Sequence, residues 1–196
     1  MNKLSEYNEK LFNDLKEEGY QHFQIGFFNS NLVLFVGQNP GMPFTDEQTK
    51  DIQCLQNYSE FEDREAQYTE DWKKSLFGSF LGRVINNHWE LISFTNLVKI
   101  PTTNNEQPDD FTTSKFLLFL KVQIGLLRPH LIVCLGKLVG QQFGLTNFYD
   151  STFYSGLRVV LFPHPSYILR QGDQYVNGEV MKMRNILNLL SIGFDK

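Results

Sequence analysis

Residues 32–41 have the sequence Leu-Val-Leu-Phe-Val-Gly-Gln-Asn-Pro-Gly, and they decide the fold class of this chain. The apolar half is typical of a strand buried on both faces, and the polar half of a loop at its carboxyl end. A second apolar run at 159–162 precedes His-Pro-Ser-Tyr-Ile-Leu-Arg at 164–170. Open α/β sheets bind ligands beyond the carboxyl ends of their strands, so we expect the two loops to meet in one crevice.

Apolar runs of strand length alternate along the chain with segments of helical periodicity. We predict strands at 32–36, 91–95, 131–135 and 158–162. We predict helices at 3–19, 72–87, 137–143 and 176–190, and one from an Asp110 cap to Pro129. Residues 42–70 are polar and weakly periodic, which indicates a long surface loop or a broken helix. The alternation predicts a three-layer α/β/α fold around a central, mainly parallel four-stranded sheet, in a single domain over residues 1–196.

The composition is that of a soluble globular protein, with 41% hydrophobic and 20% charged residues among 196. No apolar run approaches the roughly 20 residues needed to cross a bilayer, and the N-terminus lacks a signal-peptide pattern. We therefore expect a cytoplasmic monomer without a membrane partner. The net charge of −4 argues against nucleic-acid binding by the whole surface, but it allows a basic patch around one cleft.

The chain has two cysteines, Cys54 and Cys134. Cys134 lies inside the apolar run 131–135, where a small core residue is the expected role. Two cysteines without a nearby histidine cannot form a zinc or iron–sulfur site unaided. We predict no metal and no cofactor.

Four segments, in this order, resemble the motifs of the uracil-DNA glycosylase superfamily from about residue 31 onward. They are Gly-Gln-Asn-Pro-Gly at 37–41, Phe-Thr-Asn-Leu-Val-Lys at 94–99, the helix–strand–glycine passage at 126–136, and His-Pro-Ser at 164–166. The layout is similar to the family-four enzymes, which hold an iron–sulfur cluster. Ile100 stands where one cluster cysteine is expected, and Asn39-Pro40-Gly41 is more similar to the mismatch-specific and single-strand-selective branches.

The resemblance implies a monofunctional glycosylase that hydrolyses the N-glycosidic bond of uracil, or a related pyrimidine, in single- or double-stranded DNA. The product is an abasic site, as in base-excision DNA repair. The target base must be flipped out of the stack to be reached. Bond cleavage gives the sugar oxocarbenium character and makes the departing pyrimidine an anion.

The resemblance assigns catalysis to Asn39 and His164. Asn39 would orient the attacking water, and its alternative role is to shape the turn before Pro40. His164 would donate a hydrogen bond to the base O2 as negative charge develops there. Its alternative role is that of an ordinary loop histidine bonded to the backbone.

The base-binding set implied by the resemblance comprises Gly37, Gln38, Pro40, Gly41, Phe77 and Asn96. The Asn96 amide can donate to O4 and accept from N3–H of uracil, a pattern that cytosine does not match. Phe77 would stack on the base, with Phe80 as the alternative. Some relatives exclude thymine with a tyrosine in the segment that corresponds to residues 37–41, and Gly41 removes that wall unless Met42 or Phe44 refills it.

The resemblance also suggests DNA contacts. Lys99, Lys137, Ser166 and Arg170 are candidates for phosphate contacts, which position a strand without reading its sequence. Leu169 and Arg170 follow His-Pro-Ser at 164–166, where relatives insert a side chain into the vacated stack. For the lysines, the alternative is an ordinary solvated side chain.

Two other functions stay open. The enzyme could act on a 5-modified pyrimidine or on mismatched thymine, or the domain could be an inactive, glycosylase-like DNA-binding module. Retention of both Asn39 and His164 argues against the inactive module. A generic nucleotide-binding protein is least favoured, because no Gly-x-Gly-x-x-Gly follows the first strand.

Overall fold

A six-stranded sheet organises the computed structural model, which describes residues 3–40, 54–102 and 106–190. The strands lie in the order β1-β3-β2-β4-β6-β5. Their bounds are β1 Phe27–Phe28, β2 Val33–Gly37, β3 Ile92–Asn96, β4 Leu131–Leu135, β5 Ser151–Tyr154 and β6 Leu157–Phe162.

The four inner strands are parallel, and they are the four predicted from the apolar runs. All residues of β2, β3 and β4 are buried, as expected for strands covered on both faces. The predicted count of four strands was too low, because β1 and β5 add antiparallel edges. These edge strands are only two and four residues long and are incompletely buried, so they give no continuous apolar run.

Seven α-helices and one 3-10 turn are present in the described residues. Their bounds are α1 Lys3–Glu17, α2 Tyr58–Lys74, α3 Leu76–Val84, the 3-10 turn Trp89–Leu91, α4 Asp110–Leu127, α5 Lys137–Gln141, α6 Pro165–Ile168 and α7 Asp173–Leu189. None of the helices in this part of the chain is long and apolar enough to span a bilayer.

Two hydrophobic clusters cover the two faces of the sheet. In β2, Leu34 and Val36 face the cluster built on α1, α2 and α4, whereas Val33 and Phe35 face the cluster built on α3 and α7. This alternation follows from the two-residue repeat of a strand. The predicted three-layer α/β/α arrangement is confirmed.

Residues 58–84 differ from the prediction, because two helices meet at Ser75 where we expected a loop or broken helix followed by one helix. The backbone N–H of Ser75 donates to Trp72 O and ends α2, while its hydroxyl accepts from the Gly78 N–H and caps α3. A Cβ added to Gly78 would lie 2.2 Å from the Trp72 carbonyl oxygen, so this turn requires glycine. A further correction concerns α4, which is capped by Asp109 rather than Asp110.

Candidate active site

The carboxyl ends of β2, β3 and β6 border one cleft of about 600 Å³. Hydrogen bonds join the loops around it: Leu97 N donates to Gly37 O, and Val98 N to Gln38 O. Nine of the predicted site residues line the cleft, namely Gly37, Gln38, Asn39, Pro40, Phe77, Asn96, His164, Ser166 and Arg170. The two loops therefore border the same cleft, as predicted. Gly41 lies outside the described residues.

The orientation of the Asn39 carboxamide is fixed by a chain of hydrogen bonds. The Thr102 hydroxyl donates to the Glu106 carbonyl at 2.6 Å, so its oxygen is free to act as an acceptor. Asn39 Nδ2 donates to this oxygen at 3.0 Å and to the Pro40 carbonyl at 3.2 Å. The amide nitrogen is therefore used for anchoring, and Oδ1 is left to accept a hydrogen bond.

The tautomer of His164 is set by the first turn of α6. The Ser166 N–H donates to His164 Nδ1 at 3.2 Å, so this nitrogen is the acceptor and Nε2 carries the proton in the neutral ring. Burial, together with the positive charge of Arg170, lowers the pKa of His164 to about 4. At neutral pH the ring is an uncharged hydrogen-bond donor.

Aromatic side chains form one wall of the cleft. The Phe77 ring centroid lies 5.6 Å from that of His164, 6.1 Å from Phe94 and 5.4 Å from Trp72. Phe80 is 1% exposed and belongs to the core under the sheet. Of the two candidate phenylalanines, only Phe77 lines the cleft.

Asn96 ends β3 at the floor of the cleft and is 5% exposed. A Cβ added to Gly37, its partner in β2, would lie 2.5 Å from Asn96 Oδ1 and 3.2 Å from the Phe94 ring. Glycine at position 37 is therefore needed to let the Asn96 amide face the cleft.

The predicted DNA contacts divide into three groups. Ser166 and Arg170 are exposed at the cleft, and Lys137 is exposed at the start of α5, with its ammonium 5.5 Å from the Phe148 ring. Leu169 is partly buried against the core and does not line the cleft. The prediction that Lys99 contacts phosphate was wrong, because its side chain is fully buried and bonded to the end of β3.

Sequence reasoning missed three residues that build the site: Thr102, Trp72 and Phe94. Thr102 acts through a contact 63 residues away in sequence, so no local pattern reveals it. Phe94 stands inside the quoted segment 94–99 and could have been noted, since it is two residues before Asn96 on the same face of the strand.

The cysteines do not fit a metal centre. Cys134 is buried in β4, where burial raises the pKa of its thiol, and Cys54 is exposed. Within residues 3–40, 54–102 and 106–190, no three histidine, cysteine or acidic side chains gather in a way that could hold a metal ion. The two cysteines are too few for a four-cysteine cluster like that of the family-four enzymes.

Comparison with known proteins identifies the family of this chain. The model of a family described as the uracil DNA glycosylase superfamily matches residues 25–188. The matched span contains all six strands and both loops of the cleft. A search of curated proteins found no match.

Proposed function

This chain belongs to the uracil-DNA glycosylase superfamily and is accordingly a DNA glycosylase, and we propose that it hydrolyses the N-glycosidic bond of uracil in DNA. The observation that supports this substrate and reaction is that one fixed side chain in the cleft accepts a hydrogen bond and another donates one. Asn39 offers an acceptor oxygen and His164 a neutral donor nitrogen to the same cleft.

These two groups match the two demands of the reaction. Asn39 Oδ1 accepts a hydrogen bond from the attacking water and orients it toward C1′ of the sugar. The C1′–N1 bond breaks, its electron pair leaves with the base, and negative charge collects on O2. His164 Nε2–H donates to that oxygen without giving up its proton. Because an amide is a weak base, the proton of the water passes to solvent, and the rate comes mainly from positioning and electrostatics.

Recognition of uracil is assigned to Asn96 and Phe77. The Asn96 amide pairs with O4 and N3–H, and its burial makes a mismatched edge costly, because polar groups would be left unpaired. Phe77 stacks on the flipped ring from the aromatic wall. The exposed Ser166 and Arg170 contact the backbone of the strand and position it while the base is extruded into the cleft.

A second candidate substrate is a pyrimidine with a small group on C5. A pocket of about 20 Å³ adjoins the cleft, with which it shares Gln24, Tyr68, Trp72, Phe94 and Asn96. Its volume suits one water-sized group. This space would accept the methyl of mismatched thymine.

The test uses single- and double-stranded oligonucleotides that carry uracil, a thymine mismatch or 5-hydroxymethyluracil, followed by alkaline cleavage of abasic sites. We expect strand breaks with uracil that are lost in Asn39→Ala and His164→Ala. His130→Ala, which removes an exposed histidine beyond α4, is the matched control and should retain activity. If only the C5-substituted bases are released, the substrate is a C5-substituted pyrimidine and not uracil. DNA binding without release of any base would support the inactive module.

A further inference from the structure

Two ionisable side chains lie behind the end of β3 that carries Asn96. Lys99 is 0% exposed, and its ammonium donates to Thr95 Oγ1 at 2.5 Å and to the Asn96 carbonyl at 2.7 Å. Glu65, on α2, accepts from the backbone N–H of Ile25 at 2.7 Å and of Gly26 at 3.3 Å. Neither residue belongs to the water- and leaving-group chemistry of the cleft.

The two side chains are joined through the segment that precedes β1. The Thr95 hydroxyl, which accepts from Lys99, donates to the Ile25 carbonyl at 2.7 Å. The Gln24 N–H donates to the Lys99 carbonyl at 2.8 Å. Residues 24–26 are thus held by Glu65 on one side and by Thr95 and Lys99 on the other. The network ends at the main chain of Asn96.

Charge at this place is unfavourable for folding alone. Burial lowers the pKa of Lys99 to about 7, against the opposing effect of Glu65. Burial also raises the pKa of Glu65 to about 8, against the opposing effects of the two backbone N–H groups and of Lys99. Apolar residues of similar volume often replace such buried charges without loss of stability. The pair therefore calls for a role other than stability.

We propose that Lys99 and Glu65 are positioning residues that hold the Asn96 amide in the orientation that reads the pyrimidine. Lys99 fixes the Asn96 carbonyl from inside the protein, and Asn96 itself lines the cleft. Glu65 accepts hydrogen bonds from residues 25 and 26. The Ile25 carbonyl in turn accepts from Thr95, whose hydroxyl accepts from Lys99. This inference rests on the proposed function, in which Asn96 recognises the base.

Three variants separate positioning from folding: Lys99→Met, Glu65→Gln and the double variant. Lys99→Met and Glu65→Gln each leave one buried ionisable group without its partner, and both should lower the melting temperature. In the double variant no charge remains, so the melting temperature should return toward that of the wild type. Methionine cannot donate to the Asn96 carbonyl, so kcat on a uracil oligonucleotide should stay about 100-fold low in the double variant. KM should change little, because backbone contacts of the DNA are untouched, and Lys10→Met on the exposed face of α1 is the control.

Recovery of wild-type kcat together with the melting temperature in the double variant would overturn the proposal. A second measurement does not depend on activity: the side-chain amide signals of Asn96 in a ¹H–¹⁵N spectrum, assigned with Asn96→Asp. We expect these signals to shift or broaden in the double variant and to stay unchanged in Lys10→Met. If the wild type fails to release uracil while the signals shift, the proposed function fails and the positioning role stands. Unchanged signals in the double variant would refute the positioning role.

Discussion

Replacement of Thr102 by valine should weaken catalysis while leaving every group that touches the substrate in place. Valine keeps the shape of threonine but cannot accept a hydrogen bond from Asn39 Nδ2, and the link through Thr102 to the Glu106 carbonyl is lost. The remaining anchor of the amide is the 3.2 Å bond to the Pro40 carbonyl. The carboxamide is then free to turn and present its nitrogen to the water.

The size of the effect follows from these contacts. A neutral hydrogen bond contributes about 1 kcal/mol, which corresponds to about a fivefold change in rate. That energy is what holds the amide in its productive orientation, one of the two that an unrestrained amide adopts. We therefore expect kcat to fall about two- to fivefold. Asn39→Ala, which removes the oxygen itself, should cost far more.

Single-turnover release of uracil from a single-stranded oligonucleotide measures this effect directly. Thr102→Ser keeps the hydroxyl and should restore most of the rate. Thr112→Val removes a comparable threonine hydroxyl, bonded to Asp109 at the start of α4 and remote from the cleft, and should leave kcat unchanged. An unchanged kcat in Thr102→Val, or a loss as large as that of Asn39→Ala, would refute the idea that Thr102 orients the amide.

Four further predictions concern three positions, Gly37, His164 and Gly78. Gly37→Ala places a Cβ 2.5 Å from Asn96 Oδ1 and so displaces that side chain; uracil release should fall about 100-fold with little change in the melting temperature, and a fully active variant would contradict the assigned contact. His164 has a depressed pKa of about 4, so kcat/KM should show no titration of this ring between pH 7 and about pH 5, and any change that its protonation causes should be centred near pH 4; a change centred near 6.5 that is absent from His164→Gln would show that the ring titrates normally. Because the pKa of His164 is depressed, the unfolded chain binds a proton before the folded chain does as the pH falls below 6.5. Up to about 3 kcal/mol of the free energy of unfolding should therefore be lost between pH 6.5 and 4. Chemical denaturation at several pH values measures this loss, which should be smaller in His164→Gln. Gly78→Ala would force a Cβ against the Trp72 carbonyl and should lower the free energy of unfolding by more than about 1 kcal/mol, whereas Gly125→Ala, in open space on α4, should not.

The strands that could be predicted are those buried on both faces, because they have continuous apolar sequences. The four parallel strands begin and end within one residue of the apolar runs that predicted them. The edges β1 and β5 have no such sequence, because a short strand with one open side tolerates mixed residues. Most of helix α2 was predicted only as a surface loop or a broken helix for a similar reason: it buries only Tyr58 and Phe61, so its polar surface dominates the pattern.

The site was predictable in its participants and not in their orientation. Parallel strands bring their carboxyl ends to one edge, so a motif after β2 and another after β6 had to approach each other. Which atom of Asn39 faces the cleft depends on Thr102, and which nitrogen of His164 carries the proton depends on the backbone of α6. These are tertiary hydrogen bonds whose geometry exists only after folding.

Lys99 shows that the charge of a side chain does not by itself predict where the side chain lies. A lysine near a DNA-binding cleft predicts a phosphate contact, yet its neighbours Leu97 and Val98 are fully buried, and Lys99 is buried with them. A lysine in an apolar stretch needs a counter-charge and acceptors, and these come from Glu65, Thr95 and the Asn96 carbonyl. The carboxylate lies on α2, a helix whose polar sequence indicated only surface. The same helix contributes Trp72 to the aromatic wall, so α2 supports the cleft both by packing and by charge.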